Sequence, residues 1–239
     1  MRLDRWLVEQ GLVESREKAQ ELIRAGEVLV DGQRVTKPAA PVHPQSEVQV
    51  LRQPRYVGRG GEKLEAALQR WGAGVQGLVC ADVGACTGGF TDCLLQHGAA
   101  KVYAIEAGQG QLHPRLRADP RVVSLENTDA RTLDVLPEQV HLVAVDVSFI
   151  SLREVLPTAF RWLREGGEVW ALLKPQFEAP QWTKRGVMRS AAAREQVLRD
   201  FLAWCDAQGW TVLDAFECPL SGEEGNREFW LRLRGGSRL

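Results

Sequence analysis

A chain of 239 residues exceeds one small domain and falls short of two large ones, so a small module joined to a larger one is expected. Hydrophobic residues at 44% and charged residues at 26% supply a packed core and exclude a disordered chain. The formal net charge of -1 gives no global pull toward nucleic acid, so RNA binding requires a local basic face.

In chain order, residues 2–9 place Leu3, Trp6 and Leu7 at helical spacing before Gly11, which predicts a short helix. Ser15 caps a second helix whose apolar stripe is Ala19, Leu22 and Ile23, ended by Gly26. Val28, Val30 and Val35 then alternate around Asp31-Gly32, a hairpin signal. Pro38, Pro41 and Pro44 interrupt the next stretch, Val48 and Val50 offer one more strand, and a boundary is expected near residues 51–57. Beyond it the apolar runs LVCADVG, KVYAIE, VVSLE, HLVAVD and EVWALLK alternate with amphipathic segments, the pattern of a parallel sheet wrapped by helices. Residues 210–217 and 228–233 read as a terminal hairpin around PLSGEEGN. Trp71, Trp162, Trp170, Trp204, Trp210 and Trp230 are assigned to core packing.

No apolar run reaches membrane-spanning length, and the N-terminus opens on charged, helix-like sequence rather than a signal peptide. A cytoplasmic protein is expected. The five cysteines lack paired zinc spacing and the four histidines are scattered, so reduced thiols and no metal site are expected.

The loop from Asp82 through Gly84, Thr87, Gly88, Gly89 and Phe90 follows a buried strand and opens a helix, where glycines let a cofactor approach the backbone. It is neither the G-x-G-x-x-G dinucleotide fingerprint nor a Lys-Ser/Thr P-loop. S-adenosylmethionine fits it better than NAD or ATP. Glu106, ending the second run, is placed to bind ribose hydroxyls, and Asp129 to accept a bond from an adenine amino group or to cap a helix.

Asp146 and Lys174 end neighbouring strands, Glu228 starts its own, and Lys63 lies in the helix before the first strand of the larger domain. Each alone reads as a surface charge. Together they suit methyl transfer to a ribose hydroxyl, which needs an oxygen aligned behind the methyl carbon and its proton removed. A lysine serves as that base once burial or a second cation lowers its pKa.

Residues 2–50, through RLDRWLVEQGLVESREKAQELIRAGEVLVDGQRV, resemble an S4 RNA-binding domain, and residues 56–233 resemble the FtsJ-like methyltransferase domain. The combination is similar to the hemolysin A (TlyA) family. The resemblance implies a Rossmann-like α/β sheet with helices on both faces, preceded by a small α+β domain. It divides the chain into an S4-like domain at 1–51, a linker at 52–58 and a methyltransferase domain at 59–239. It implies S-adenosylmethionine as cofactor, ribosomal RNA or ribosomal subunits as partner, and ribose 2′-O-methylation, with cytidine a candidate target. It also implies a Lys-Asp-Lys-Glu tetrad, which GRGGEKL, VDVSFIS, LLKPQFE and GNREF place on Lys63, Asp146, Lys174 and Glu228, with Lys174 as base. Glu106 stands where relatives carry aspartate, and Asp129-Ala-Arg131 where they carry Asn-Ala-Arg; both changes keep hydrogen-bonding capacity.

In the S4-like part, Arg2, Arg5, Arg16, Lys18 and Arg24 are candidates for the RNA-facing surface, since phosphates supply most sequence-independent affinity. Lys184, Arg185 and Arg189 are candidates to clamp substrate near the chemistry. A noncatalytic ribosome-assembly factor is the main rival reading, and the complete set of four polar residues argues against it. A lytic hemolysin would need an insertion segment that the sequence does not display, and a nicotinamide oxidoreductase would need the fingerprint that the glycine loop lacks.

Overall fold

The computed structural model describes residues 1–51 and 55–236, which divide into two compact units at residues 55 and 56. In the first, α1 (Leu3–Glu9) and α2 (Arg16–Arg24) pack on a three-stranded antiparallel sheet of β1 (Val28–Val30), β2 (Gln33–Arg34) and β3 (Val48–Val50), in the order β2-β1-β3. The Ser15 hydroxyl caps α2 by accepting from the Lys18 amide at 3.3 Å. The expected apolar stripe of Ala19, Leu22 and Ile23 is buried against Leu3, Leu7 and Val28. Asp31 and Gly32 both adopt left-handed backbone, φ 51° and 76°, the geometry of a two-residue hairpin turn that matches strand twist.

The second unit opens with α3 (Arg59–Trp71). Next come β4 (Val79–Val83), α4 (Gly89–Gln96), β5 (Lys101–Ile105), α5 (Pro114–Arg117) and β6 (Val122–Leu125). Then follow β7 (Val140–Val145), α6 (Leu152–Arg161), β8 (Leu163–Leu173), α7 (Pro175–Glu178), α8 (Ala191–Ala207), β9 (Thr211–Glu217) and β10 (Phe229–Arg234). The sheet order is β6-β5-β4-β7-β8-β10-β9. The strands from β4 to β8 are parallel, and β10 runs antiparallel between β8 and β9, so the five apolar runs and the terminal hairpin of the sequence form one sheet.

Strand periodicity decides which core each side chain enters. Cys80, Leu142, Trp170 and Trp230 face the layer of α3 and α4, whereas Ala81, Val143, Ala171 and Leu231 face that of α6 and α8. Both faces are therefore buried, which explains why these strands read as continuous apolar runs. Trp71 anchors α3 by edge contacts with Trp170, Phe216 and Trp230, at centroid distances of 5.1, 5.6 and 6.2 Å. Of the expected linker, residues 52–54 lie outside the described residues, while Tyr56 and Val57 are buried in the second unit's core. Strand order reverses at β4, flanked by β5 and β7, and the crevice beyond its carboxyl end is where such sheets bind ligands.

Candidate active site

A cleft of about 530 Å³ opens at that crevice. Its wall begins with Asp82 at the end of β4, a fully buried carboxylate whose Oδ2 accepts from the Thr91 amide at 2.9 Å and the Thr91 hydroxyl at 2.7 Å. Oδ1 has no hydrogen-bond partner among the described residues. Burial pushes this carboxyl up to about 7, against the opposing effect of the Thr91 bonds. A buried acceptor left open on the wall of a cleft is suited to a cationic or N–H donor of a ligand.

The following loop has to pass close to its neighbours. Gly84 takes φ 81°, and a Cβ there would overlap the Asp146 carbonyl oxygen. Gly89 starts α4 where a Cβ would lie 2.8 Å from the Gly61 amide nitrogen and 3.0 Å from the Gly58 carbonyl oxygen, so the glycine loop and the start of α3 meet backbone to backbone. Thr87 and Phe90 also line the cleft, whereas Gly88, with φ 100°, serves the turn behind it.

Lys63 and Glu228 meet on one side. The Lys63 ammonium is 2.6 Å from Glu228 Oε2, and both side chains are buried. The Trp230 indole N–H donates to the Lys63 carbonyl at 3.1 Å, fixing α3 against β10. Burial pushes the Glu228 carboxyl up, and Lys63 opposes that shift. A second pair joins the ends of β7 and β8: Lys174 Nζ lies 2.6 Å from Asp146 Oδ1 and donates to the Ser148 hydroxyl at 2.9 Å. All four expected catalytic residues thus line one cleft, two amines alternating with two carboxylates.

Besides Gly88, two expected cofactor residues stand back from it. Glu106 does not line the cleft; its carboxylate accepts from the Cys86 and Gly108 amides, each at 2.8 Å, and so holds the tip of the glycine loop. Asp129 is likewise outside the lining and forms a 2.7 Å ion pair with Arg131, which lowers its pKa. Sequence position gave both residues a strand-end address without showing these intramolecular partners.

The cleft also recruits residues that sequence reasoning missed. Arg59 and Gly60 come from the start of α3, Gln176 and Phe177 from α7, and Ser148 and Phe149 from the loop after β7. Phe149 is 83% exposed and holds φ 68°, an uncommon conformation for a bulky residue and one that occurs at ligand-binding positions. Its ring lies 5.1 Å from that of Phe177 at 49°, forming an aromatic rim. Nothing in VSFIS marks this ring, and only the fold shows it turned outward.

Among the basic candidates of the second unit, Arg185 lines the cleft mouth, on a tight turn closed by Lys184 and Val187. Arg189 follows that turn and accepts at its carbonyl from Arg194. In the first unit, Arg2 and Arg16 converge on Asp4, at 2.9 and 3.2 Å. Asp4 is fully buried, and its carboxyl is held far below the usual range, chiefly by Arg2. Gln20 also donates to Asp4, and Arg24 donates to Gln20. Arg5 is exposed and Lys18 half-buried on the same helix pair. Asp4, not singled out from the sequence, is the hub of this array.

The family model described as FtsJ-like methyltransferase matches residues 56–235, and that of the S4 domain matches residues 1–48. Hemolysin A of Brachyspira hyodysenteriae is 41% identical over 96% of this chain and 98% of its own length. The 16S/23S rRNA (cytidine-2′-O)-methyltransferase TlyA of Mycobacterium tuberculosis is 41% identical over 98% of this chain and 89% of its own. A solved structure from Streptococcus thermophilus, described as a candidate hemolysin, superposes with a TM-score of 0.79 at 38% identity, covering 99% of this chain and 89% of that one. The open Asp82 oxygen and the close-packed glycine loop fit a small ligand with a cationic amine, as S-adenosylmethionine has. The chain belongs to the hemolysin A (TlyA) family, in which an S4 domain precedes an FtsJ-like methyltransferase domain, and it is a methyltransferase that uses S-adenosylmethionine.

Proposed function

We propose that this methyltransferase modifies ribosomal RNA at a ribose 2′ oxygen, with cytidine the target nucleoside, through Lys63, Asp146, Lys174 and Glu228. The observation that carries the reading is the meeting of the Lys63–Glu228 and Lys174–Asp146 pairs beside the glycine loop. Support for the substrate comes from the S4 match and from the TlyA relatives of Mycobacterium tuberculosis and Campylobacter jejuni, both described as rRNA cytidine-2′-O-methyltransferases.

Asp82, Gly84, Thr87, Gly89 and Phe90 hold the methyl donor, with Glu106 and Asp129 acting from behind the loop. When bound, S-adenosylmethionine supplies a methyl group on a positively charged sulfur. Lys174 takes the proton of the ribose hydroxyl as that oxygen forms its bond to the methyl carbon. Asp146 and Ser148 fix the direction of Lys174 Nζ, and the Lys63–Glu228 pair orients the hydroxyl. The donor, once bound, would supply the methyl group and leave as a neutral sulfide, so the residues need only align and deprotonate.

Arg2, Arg5, Arg16, Lys18 and Arg24 grip RNA phosphates from the S4 domain, while Lys184, Arg185 and Arg189 do so beside the cleft. The reading uses two domains that divide between Arg55 and Tyr56, since Tyr56 and Val57 of the expected linker pack in the second unit. Among the described residues no helix is long and apolar enough to cross a membrane, and a ribosomal substrate implies work in the cytoplasm. Methylating ribosomal subunits from cells lacking this protein with tritiated donor, then digesting the RNA to nucleosides, tests it: label in 2′-O-methylcytidine is expected. Label confined to a base would contradict the assigned chemistry, and no transfer beside intact RNA binding would favour an assembly factor.

A further inference from the structure

Asn226 sits two residues before Glu228, is 5% exposed, and uses its side-chain amide in both directions. Its Oδ1 accepts from the Met188 amide at 3.1 Å, and its Nδ2 donates to the carbonyls of Gly186 and Glu223 at 3.0 and 3.3 Å. These partners belong to the two rims of the cleft. Gly186 lies within the turn closed by Lys184 and Val187, where Arg185 and Gly186 take φ 52° and 75°, and Met188 directly follows it. Glu223 belongs to the loop that leads into β10, which the Asn226 carbonyl closes by accepting from the Gly222 amide at 2.7 Å. Gly222 packs so near the Glu228 carboxylate that a Cβ there would overlap Glu228 Oε1. Met188 is buried against Ala179 and Val197, so the clasp is anchored in the fold.

We infer that Asn226 is a positioning residue that locks the turn carrying Arg185 to the loop carrying Glu228, so that one amide sets both the substrate grip and the catalytic carboxylate. An amide is the side chain of this size that both donates and accepts. A carboxylate at the same place would still accept from the Met188 amide but would set its other oxygen against the Gly186 and Glu223 carbonyl oxygens, losing the donor half of the clasp at little cost in volume. The inference rests on the proposed role of the cleft in holding RNA.

The test has two arms. In the free protein, hydrogen exchange at the Met188 amide is compared between wild type, Asn226→Ala and Asn226→Ser, which take the accepting oxygen away or out of reach; exchange about tenfold faster or more in both variants is expected. With naked ribosomal RNA as probe, Arg185→Ala is measured in wild type and in Asn226→Asp, with donor affinity followed by calorimetry. Arg185→Ala is expected to raise KM about tenfold in wild type and less than about twofold in Asn226→Asp, because the unlocked arginine no longer contributes. Donor affinity should be the same in all of them. Unchanged Met188 exchange, or the same Arg185→Ala effect in both backgrounds, would overturn the inference. A wild type that neither binds nor methylates ribosomal RNA would instead refute the RNA reading, leaving the exchange arm to decide the clasp.

Discussion

The Asp146 carbonyl oxygen occupies the space that a side chain on Gly84 would need. The two residues directly follow neighbouring parallel strands, β4 and β7, so the contact ties the glycine loop proposed to hold the donor to the residue that supplies one proposed catalytic carboxylate. Because the blocking atom is backbone, it cannot swing aside, and the left-handed φ alone costs an alanine about 1–2 kcal/mol. Gly84→Ala should weaken donor binding by about tenfold or more, and Gly84→Val by more still. Calorimetric titration of the methyl donor checks this; an unchanged affinity would refute the close-approach account.

The buried Lys63–Glu228 pair makes a different prediction. Glu228→Ala strands an ammonium in the core and should cost about 3–5 kcal/mol of stability. The double variant Lys63→Met with Glu228→Leu should recover most of that loss while methyl transfer stays abolished, since the apolar pair no longer orients a hydroxyl. Urea unfolding of the two variants, beside a transfer assay, separates the structural role from the chemical one.

Asp82 supplies a pH dependence. Its folded-state pKa is raised by burial from 3.8 to about 7, so the folded protein holds this proton more tightly than the unfolded chain does. That contribution to stability is fully present below the unfolded pKa and is lost as pH rises through the folded value. Wild type should therefore lose stability relative to Asp82→Asn between pH 4 and about 7, followed by thermal unfolding. Donor affinity should rise over the same interval, as the ionised carboxylate meets the donor's amine, and should be flat in Asp82→Asn.

The sheet was legible because each strand is buried on both faces and reads as an unbroken apolar run, and because Asp31-Gly32 and the glycine loop carry local backbone requirements. Lys63, Asp146, Lys174 and Glu228 were legible as motif residues, while their pairing, Lys63 with Glu228 and Lys174 with Asp146, depends on strand order. What remained hidden has no local signature. Nothing local marks Phe149, whose backbone turns it outward, or Asp4, on which two arginines close, and Asn226 works through a segment about 40 residues away. Glu106 and Asp129 show the opposite failure: a strand-end position was readable, but their local partners, the Cys86 amide and Arg131, were not.

Phe149 offers a large exposed ring beside the cleft at no benefit to the core. Phe149→Ala should leave stability within about 0.5 kcal/mol. If the ring stacks on a base of the bound RNA, the loss is about 1–3 kcal/mol of binding, seen as a raised KM with donor affinity unaltered. Steady-state kinetics with ribosomal subunits checks it; an unchanged KM would remove the aromatic rim from the substrate site.

The central claim is that Lys174 takes the proton of a ribose hydroxyl during methyl transfer. Its most direct test is single-turnover transfer of tritiated methyl from S-adenosylmethionine to ribosomal subunits from cells lacking the protein, comparing wild type with Lys174→Ala. The account predicts label on a ribose 2′ oxygen with wild type and its loss in Lys174→Ala, while the variant binds donor and RNA as wild type does. Equal transfer by Lys174→Ala would contradict the assignment of the base.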